Sequence, residues 1–201
     1  MALVTFEGID GCGKSTQIEM LKTYLKKKNV EFSVFREPGG TSIGEQIRQI
    51  LLNRDNTDMS AKTEFLLYAA SRAQLVEKEV KPRLERGEFV ILDRYIDSSV
   101  AYQGFGRKLG KRMVVLINEF ATEVLYPDLT FYLEIDEETF KKRVRSSGDR
   151  MESEGWEFME RVIKGYEFLS KSRRFVKIDS RLSQDRIFNY IIREIESHFS
   201  F

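Results

Sequence analysis

Five short apolar runs punctuate the chain: residues 2–6 (ALVTF), 32–35 (FSVF), 89–92 (FVIL), 129–135 (LTFYLEI) and 175–178 (FVKI). They are strand-length and rich in β-branched and aromatic residues, which suit a buried pleated surface. Between them the period changes. Ile18, Leu21 and Leu25 recur at helical spacing within 14–28, and the same amphipathic pattern runs over 111–125 and 185–199. Ser60 is placed to cap a long third helix, which Gly87 would end near Arg86. Strand and helix in alternation predict a parallel sheet with helices on both faces, an α/β fold of three layers around five strands. No repeat, low-complexity tract or linker interrupts the pattern, so one domain is expected over 1–201. One segment departs from it. Residues 145–155 (RSSGDRMESEG) are polar, glycine-punctuated and charged with both signs, which fits either a solvated loop or a weakly packed lid.

Composition narrows the field. Of 201 residues, 41% are hydrophobic and 32% charged, enough apolar material for a core. The net charge of +1 gives no bulk reason to expect nucleic-acid or membrane binding. A single cysteine, Cys12, precludes an internal disulfide and suits a reducing cytoplasm. The first residues enter a strand pattern and lack the profile of a signal peptide, and no apolar run reaches membrane-spanning length. His198 has no histidine or cysteine near it in sequence and is expected to be a surface or internally satisfied residue of the last helix.

The segment Gly8-Ile9-Asp10-Gly11-Cys12-Gly13-Lys14-Ser15 matches G-x-x-x-x-G-K-[ST], with a strand before it and a helix after. This is the arrangement a phosphate loop requires: glycines let backbone N–H groups curl around phosphate oxygens, at the positive end of the following helix. Lys14 adds charge to the outer phosphates, and Thr16 continues the loop. The Ser15 hydroxyl can ligate Mg²⁺. Asp93, ending the third strand, can hold the same ion directly or through water. A nucleoside triphosphate and Mg²⁺ are therefore expected, in a P-loop NTPase-type fold, and the loop by itself would serve a switch GTPase, a mechanical ATPase or a kinase.

What receives the phosphate depends on the rest of the chain. No Asn-Lys-x-Asp motif for reading guanine is present, and Arg94-Tyr95-Ile96 stands where a switch would carry Asp-x-x-Gly. Three polar clusters fall instead at the C-terminal edge of the expected sheet, where open α/β folds bind ligands. One is Arg36-Glu37-Pro38-Gly39-Gly40-Thr41, with Arg48 on the helix beyond. The second is Tyr68 and Arg72, four apart and so on one helix face. The third is the stretch from Asp93 to Arg107, DRYIDSSVAYQGFGR, which reads as a recognition loop.

Taken together, FEGIDGCGKST, REPGGT, YAASR and DRYIDSSVAYQG resemble the thymidylate kinase family, over residues 3 to about 190. The resemblance implies ATP-dependent phosphorylation of dTMP and a homodimer, for which the apolar surplus of 111–125 would serve. Arg94 would grip the acceptor phosphate, bidentately where geometry permits, with Arg48 assisting. Tyr68 stands at the position of an aromatic that stacks on thymine, commonly phenylalanine in the family. Arg72 resembles the donor to a thymine carbonyl. Ser99 and Gln103 fall at positions lining or bonding the base, and Tyr102 resembles the residue crowding the sugar 2′ position. Asp10 and Glu37 resemble the acids near the 3′-hydroxyl and acceptor phosphate. On residue grounds alone, Glu37 could instead cap the next helix and Tyr68 could be plain core.

The phosphate loop holds no arginine, which resembles the bacterial-type branch, where the lid supplies one. Arg150 is the first candidate to assist transfer alongside Lys14 and Arg94. Arg143 and Arg145 are the others, and any of the three could face the adenine. Two alternatives stay open. One is another kinase of this fold, acting on dUMP, dCMP or a deoxynucleoside. The other is a partner-regulated ATPase that hydrolyses ATP without a small acceptor.

Overall fold

The computed structural model describes residues 2–144, 150–151 and 154–200. Five strands form one all-parallel sheet in the order β2-β3-β1-β4-β5: β1 Ala2–Glu7, β2 Phe32–Arg36, β3 Phe89–Asp93, β4 Leu129–Glu134 and β5 Phe175–Asp179. Alternation along the strands sends side chains to both faces. On β1, Ala2, Val4 and Phe6 join a core with Ile18, Leu21 and Leu25 of α1 (Lys14–Lys27) and Ile187, Ile191 and Ile195 of α9 (Gln184–His198). Leu3 faces the other way, joining Val90 and Leu92 of β3 with Leu75, Val76, Val80 and Leu84. Helices thus cover both faces, and the expected three-layer architecture holds. No helix among the described residues is long and apolar enough to cross a membrane.

The third helix is not continuous. Ser60 caps α3 (Ala61–Leu75), its side chain accepting from the Thr63 amide, but a π-helical segment, Val76–Val80, separates α3 from the short α4 (Lys81–Glu85). Pro82 gives the reason: it has no N–H for the carbonyl one turn back, and a widened turn accommodates it. Gly87, at φ 85°, then takes the left-handed position after the helix end.

The stretch after Asp93 also differs from the loop reading. It is helical from Ile96, as α5 (Ile96–Ser99) running into a second π-helical segment, Val100–Gly106. Four further helices complete the set among the described residues: α2 (Ser42–Leu52), capped by Thr41, α6 (Lys111–Thr122), α7 (Glu137–Arg143) and α8 (Trp156–Leu169). Phe158, Met159, Val162 and Tyr166 lie at helical spacing along α8, a helix absent from the expected elements, and all four are buried. Most of the residues expected to form a lid, Arg145 among them, lie outside the described residues.

Candidate active site

Strand β1 delivers the chain to the phosphate loop at the centre of the sheet. Gly8 has φ 135°, and a Cβ there would lie 2.5 Å from the Leu133 carbonyl oxygen of the neighbouring strand. Gly13 has φ 99° and offers no side-chain cap to α1, so the helix begins with its backbone N–H groups uncapped. Lys14 folds back over the loop, its Nζ donating to the carbonyls of Gly8 (3.0 Å) and Ile9 (3.3 Å). Cys12 and Ile9 are buried beneath, and burial pushes the Cys12 thiol up despite the nearby Lys14 charge. These two residues shape the loop from below, as does Gly8.

A cleft of about 600 Å³ opens above the loop. Asp10, Gly11, Gly13, Lys14, Ser15 and Thr16 form one wall, with Arg143 at its edge. Arg143 lies against the loop, donating Nη1 to the Gly11 carbonyl (3.3 Å) and Nη2 to the Ser180 carbonyl (3.0 Å). The opposite wall carries Glu37, Arg48, Tyr68, Arg94, Ser99, Tyr102 and Gln103. Arg36, Pro38, Leu52, Asp93, Ser98 and Met151 complete the lining. Asp93 and Ser15 both face this cleft. A carboxylate and a hydroxyl are hard oxygen donors that suit Mg²⁺, which typically takes one or two protein ligands and leaves the rest to phosphate and water. Among the described residues no group of three or more His, Cys, Asp or Glu could cage a metal by protein ligands alone.

Arg94 joins the walls. Its backbone is left-handed (φ 71°), and its N–H donates to the Phe6 carbonyl (3.0 Å). The guanidinium donates to Asp10 Oδ1 (2.7 Å) and the Gly8 carbonyl (2.9 Å), and lies over the Tyr102 ring at 5.2 Å. Burial pushes the Asp10 carboxyl up, but Arg94 and Lys14 outweigh it and hold it below the usual range. The buried Tyr102 hydroxyl and Glu37 Oε1 have no hydrogen-bond partner among the described residues, and both residues line the cleft. Orphaned buried polar atoms on a cleft wall are what a polar ligand would satisfy. Glu37 does not cap α2, because Thr41 does, and Tyr68 is half-buried on the cleft wall rather than core.

Two arginines stand differently from their sequence expectations. Arg72 is only 1% exposed and does not line the cleft. It donates to Glu37 Oε2, Ser99 Oγ, Asn118 Oδ1 and the Tyr95 carbonyl. Four of its five N–H groups are hydrogen-bonded in this way, and Nη2 also stands 2.6 Å from Glu37 Oε2, so the guanidinium is largely committed to these partners. Arg72 braces two cleft residues from behind. Arg150 is likewise buried, donating to the Leu51 carbonyl (2.9 Å) and Glu64 Oε2 (2.8 Å), and does not line the cleft. Of the two candidate arginines among the described residues, Arg143 is the one placed beside the phosphate loop. His198 is exposed on the last helix and bonds its own turn.

Glu7, the last residue of β1, stands just before the phosphate-loop motif and is singled out by no sequence pattern. It is buried, with Oε1 accepting from the Tyr95 amide (2.8 Å) and Oε2 from Ser98 Oγ (2.6 Å) and Tyr166 OH (2.8 Å). Ser98 and Tyr166 in turn stand at 3.3 and 3.5 Å from Arg94 Nη1. Burial, with the charge of Asp97, pushes the Glu7 carboxyl up to about 7, against the hydrogen bonds from Ser98 and Tyr166 and the charge of Arg94. A carboxyl raised on folding contributes stability that is complete below about 4.5 and is lost as pH rises toward 7. Relative to Glu7→Gln, the native chain should therefore lose on the order of 3 kcal/mol between those pH values. Urea denaturation of both chains across that range measures it. A constant difference would contradict the burial-driven shift.

The Thymidylate kinase family model matches residues 6–191. A thymidylate kinase of Caldanaerobacter subterraneus subsp. tengcongensis is 46% identical over 198 residues, covering 97% of this chain and 95% of the relative. One from Halothermothrix orenii is 48% identical over 198 residues, covering 96% and 95%. The crystal structure of thymidylate kinase from Ehrlichia chaffeensis superposes with a TM-score of 0.80 at 29% identity, covering 97% of this chain and 98% of that one. With a phosphate loop and a polar acceptor wall meeting in one cleft, and similarity running along nearly its whole length, the chain belongs to the thymidylate kinase family.

Proposed function

We propose that this cleft transfers the γ-phosphoryl group of ATP to the 5′-phosphate of dTMP, yielding ADP and dTDP, within one kinase domain. An oxygen of the acceptor phosphate forms the new bond to the γ-phosphorus as the bond to the β–γ bridging oxygen breaks. The observation that carries this reading is the ion pair between Asp10 of the phosphate loop and Arg94 of the acceptor wall, at 2.7 Å. It brings donor and acceptor sites to one point, and proximity of this kind is most of what phosphoryl transfer asks of a protein.

The chain's own groups divide the work. The N–H groups from Gly8 to Thr16 and the Lys14 ammonium hold the ATP phosphates, with Arg143 beside them. Arg94 grips the acceptor phosphate with help from Arg48, and Tyr68 stacks on the base. Ser99 and Gln103 line the base site. Tyr102 crowds the 2′ position, and Asp10 and Glu37 face the sugar. Ser15 and Asp93 would hold Mg²⁺, which would offset phosphate charge. Arg72 acts through Glu37 and Ser99, and Arg143 supplies the lid-side charge. The lone, buried Cys12 suits a cytoplasmic setting. The expected result for ligand binding is that dTMP raises the melting temperature of the chain and dCMP and dGMP at equal concentration do not. Equal shifts for all three would contradict the assigned base site.

A second copy of the chain completes the proposal. Met113, Leu116 and Phe120 (87% exposed) form one face of α6, continued by Val124 and by Leu66 on the adjoining α3. An apolar surface of this kind suits a homodimer. Phe120→Glu should convert a dimer to a monomer in sedimentation equilibrium. A native chain that sediments as a monomer would refute this part of the reading.

A further inference from the structure

Glu64 is 0% exposed, on α3, one helical turn before Tyr68 and two before Arg72. Four N–H donors converge on its carboxyl: Gln103 Nε2 (3.0 Å), Arg107 Nε (3.1 Å) and Nη2 (2.9 Å), and Arg150 Nη2 (2.8 Å). Burial alone would push this carboxyl up, but the hydrogen bonds from Arg107 and Gln103 outweigh it and hold it below the usual range. It is therefore ionised, and an ionised carboxyl can only accept. That fixes something an amide does not fix for itself. Gln103 could present either end to its surroundings, but only its NH₂ can face Glu64. Gln103 is 2% exposed and lines the cleft, and no described residue donates to its Oε1.

We propose that Glu64 is a positioning residue for base selection: by taking the NH₂ of Gln103, it leaves the amide oxygen for the substrate, so the base edge must donate. This rests on the dTMP reading above. Thymine carries one donor on its pairing edge, N3–H, between two carbonyl acceptors. 5-Methylcytosine has the same methyl group and nearly the same shape, but its N3 is an acceptor. Facing the Gln103 oxygen, it would meet an uncompensated acceptor pair. Arg107 and Arg150 have only donors to offer, so they also decide what a substitution at Glu64 would do. In Glu64→Gln the two arginine donors on Oε2, Arg107 Nη2 and Arg150 Nη2, outweigh the single one on Oε1, Arg107 Nε, so the oxygen of the introduced amide takes the Oε2 side and its NH₂ faces Gln103. Gln103 then turns its oxygen inward and its NH₂ toward the base.

The test compares kcat/KM for dTMP and for 5-methyl-dCMP in the native chain, Glu64→Gln and Gln103→Met. Gln103→Met removes the amide at nearly constant volume and should collapse the preference for dTMP. If it leaves the preference intact, the assignment of Gln103 to the base fails, and this proposal fails with it. Glu64→Gln should lower the ratio of dTMP to 5-methyl-dCMP by at least about tenfold. A purely structural role would depress both substrates together. A collapse in Gln103→Met with an unchanged ratio in Glu64→Gln would overturn the proposal while leaving the base site standing. A measurement on the native chain covers the case in which Glu64→Gln does not fold. The Gln103 side-chain NH₂ protons, assigned by residue-selective labelling, should exchange slowly with solvent, held against a buried carboxylate. Rapid exchange would place that NH₂ on the cleft side and overturn the proposal.

Discussion

Arg94→Ala is expected to lower kcat/KM for dTMP about 10³-fold or more, with the KM for ATP changed far less. Arg94 is the cation that stands between the two walls, and several constraints place it there. Its backbone is left-handed, its N–H is tied to Phe6, and its guanidinium is seated against Asp10, the Gly8 carbonyl and the Tyr102 ring. Behind it, the Glu7–Ser98–Tyr166 cluster fixes the remaining side. A charge placed in advance needs no reorganisation as the acceptor phosphate approaches, and arginines so placed contribute about 10³ to 10⁵ in phosphoryl transfer. Arg94→Lys should recover little of the loss, because an ammonium cannot present two parallel N–H bonds. Steady-state kinetics with each substrate varied separately distinguishes the outcomes. A loss expressed in the KM for ATP would place Arg94 on the donor side instead.

Lys14→Ala should reduce kcat by about 10² to 10³ at saturating ATP. Its ammonium lies within the loop, 3.0 and 3.3 Å from the Gly8 and Ile9 carbonyls and 3.9 Å from Asp10, and is shielded from solvent. Charge held there meets the outer phosphates, where negative charge builds during transfer. Its removal also takes a donor from two loop carbonyls, so the KM for ATP should rise as well. Urea denaturation of the variant separates the two effects, since a distorted loop would lower stability and a lost charge would lower kcat alone. A kcat within threefold of the native value would mean that Lys14 serves the loop's shape and not the reaction.

Much of the fold could be read along the chain because its signals are local. Each of the five strands is a short apolar run, and Gly8 to Ser15 are consecutive, so both could be recognised without knowing what packs against them. The third helix failed at Pro82, where local pattern favours continuation and the missing N–H forces a wider turn. The polar stretch after Asp93 resembled a loop because its serines and glycines are turn formers, yet Ile96, Val100 and Ala101 bury one side of a helix there. The acceptor-wall residues were legible as types, but their orientations were not. Nothing near Arg72 in sequence reveals that Glu37, Ser99 and Asn118 engage its guanidinium, because those partners come from three other elements. Glu7 and Glu64 were missed for the same reason. The spacing of Glu64, Tyr68 and Arg72 at successive turns of one face was the signal that could have found the second.

The most direct test is ADP formation from Mg-ATP with dTMP, dUMP, dCMP, dGMP, thymidine and no acceptor, measured side by side. The account predicts the highest rate with dTMP and a rate near zero without acceptor. Equal ADP formation with and without every acceptor would contradict it, because a cleft built to join two phosphates would then be serving water.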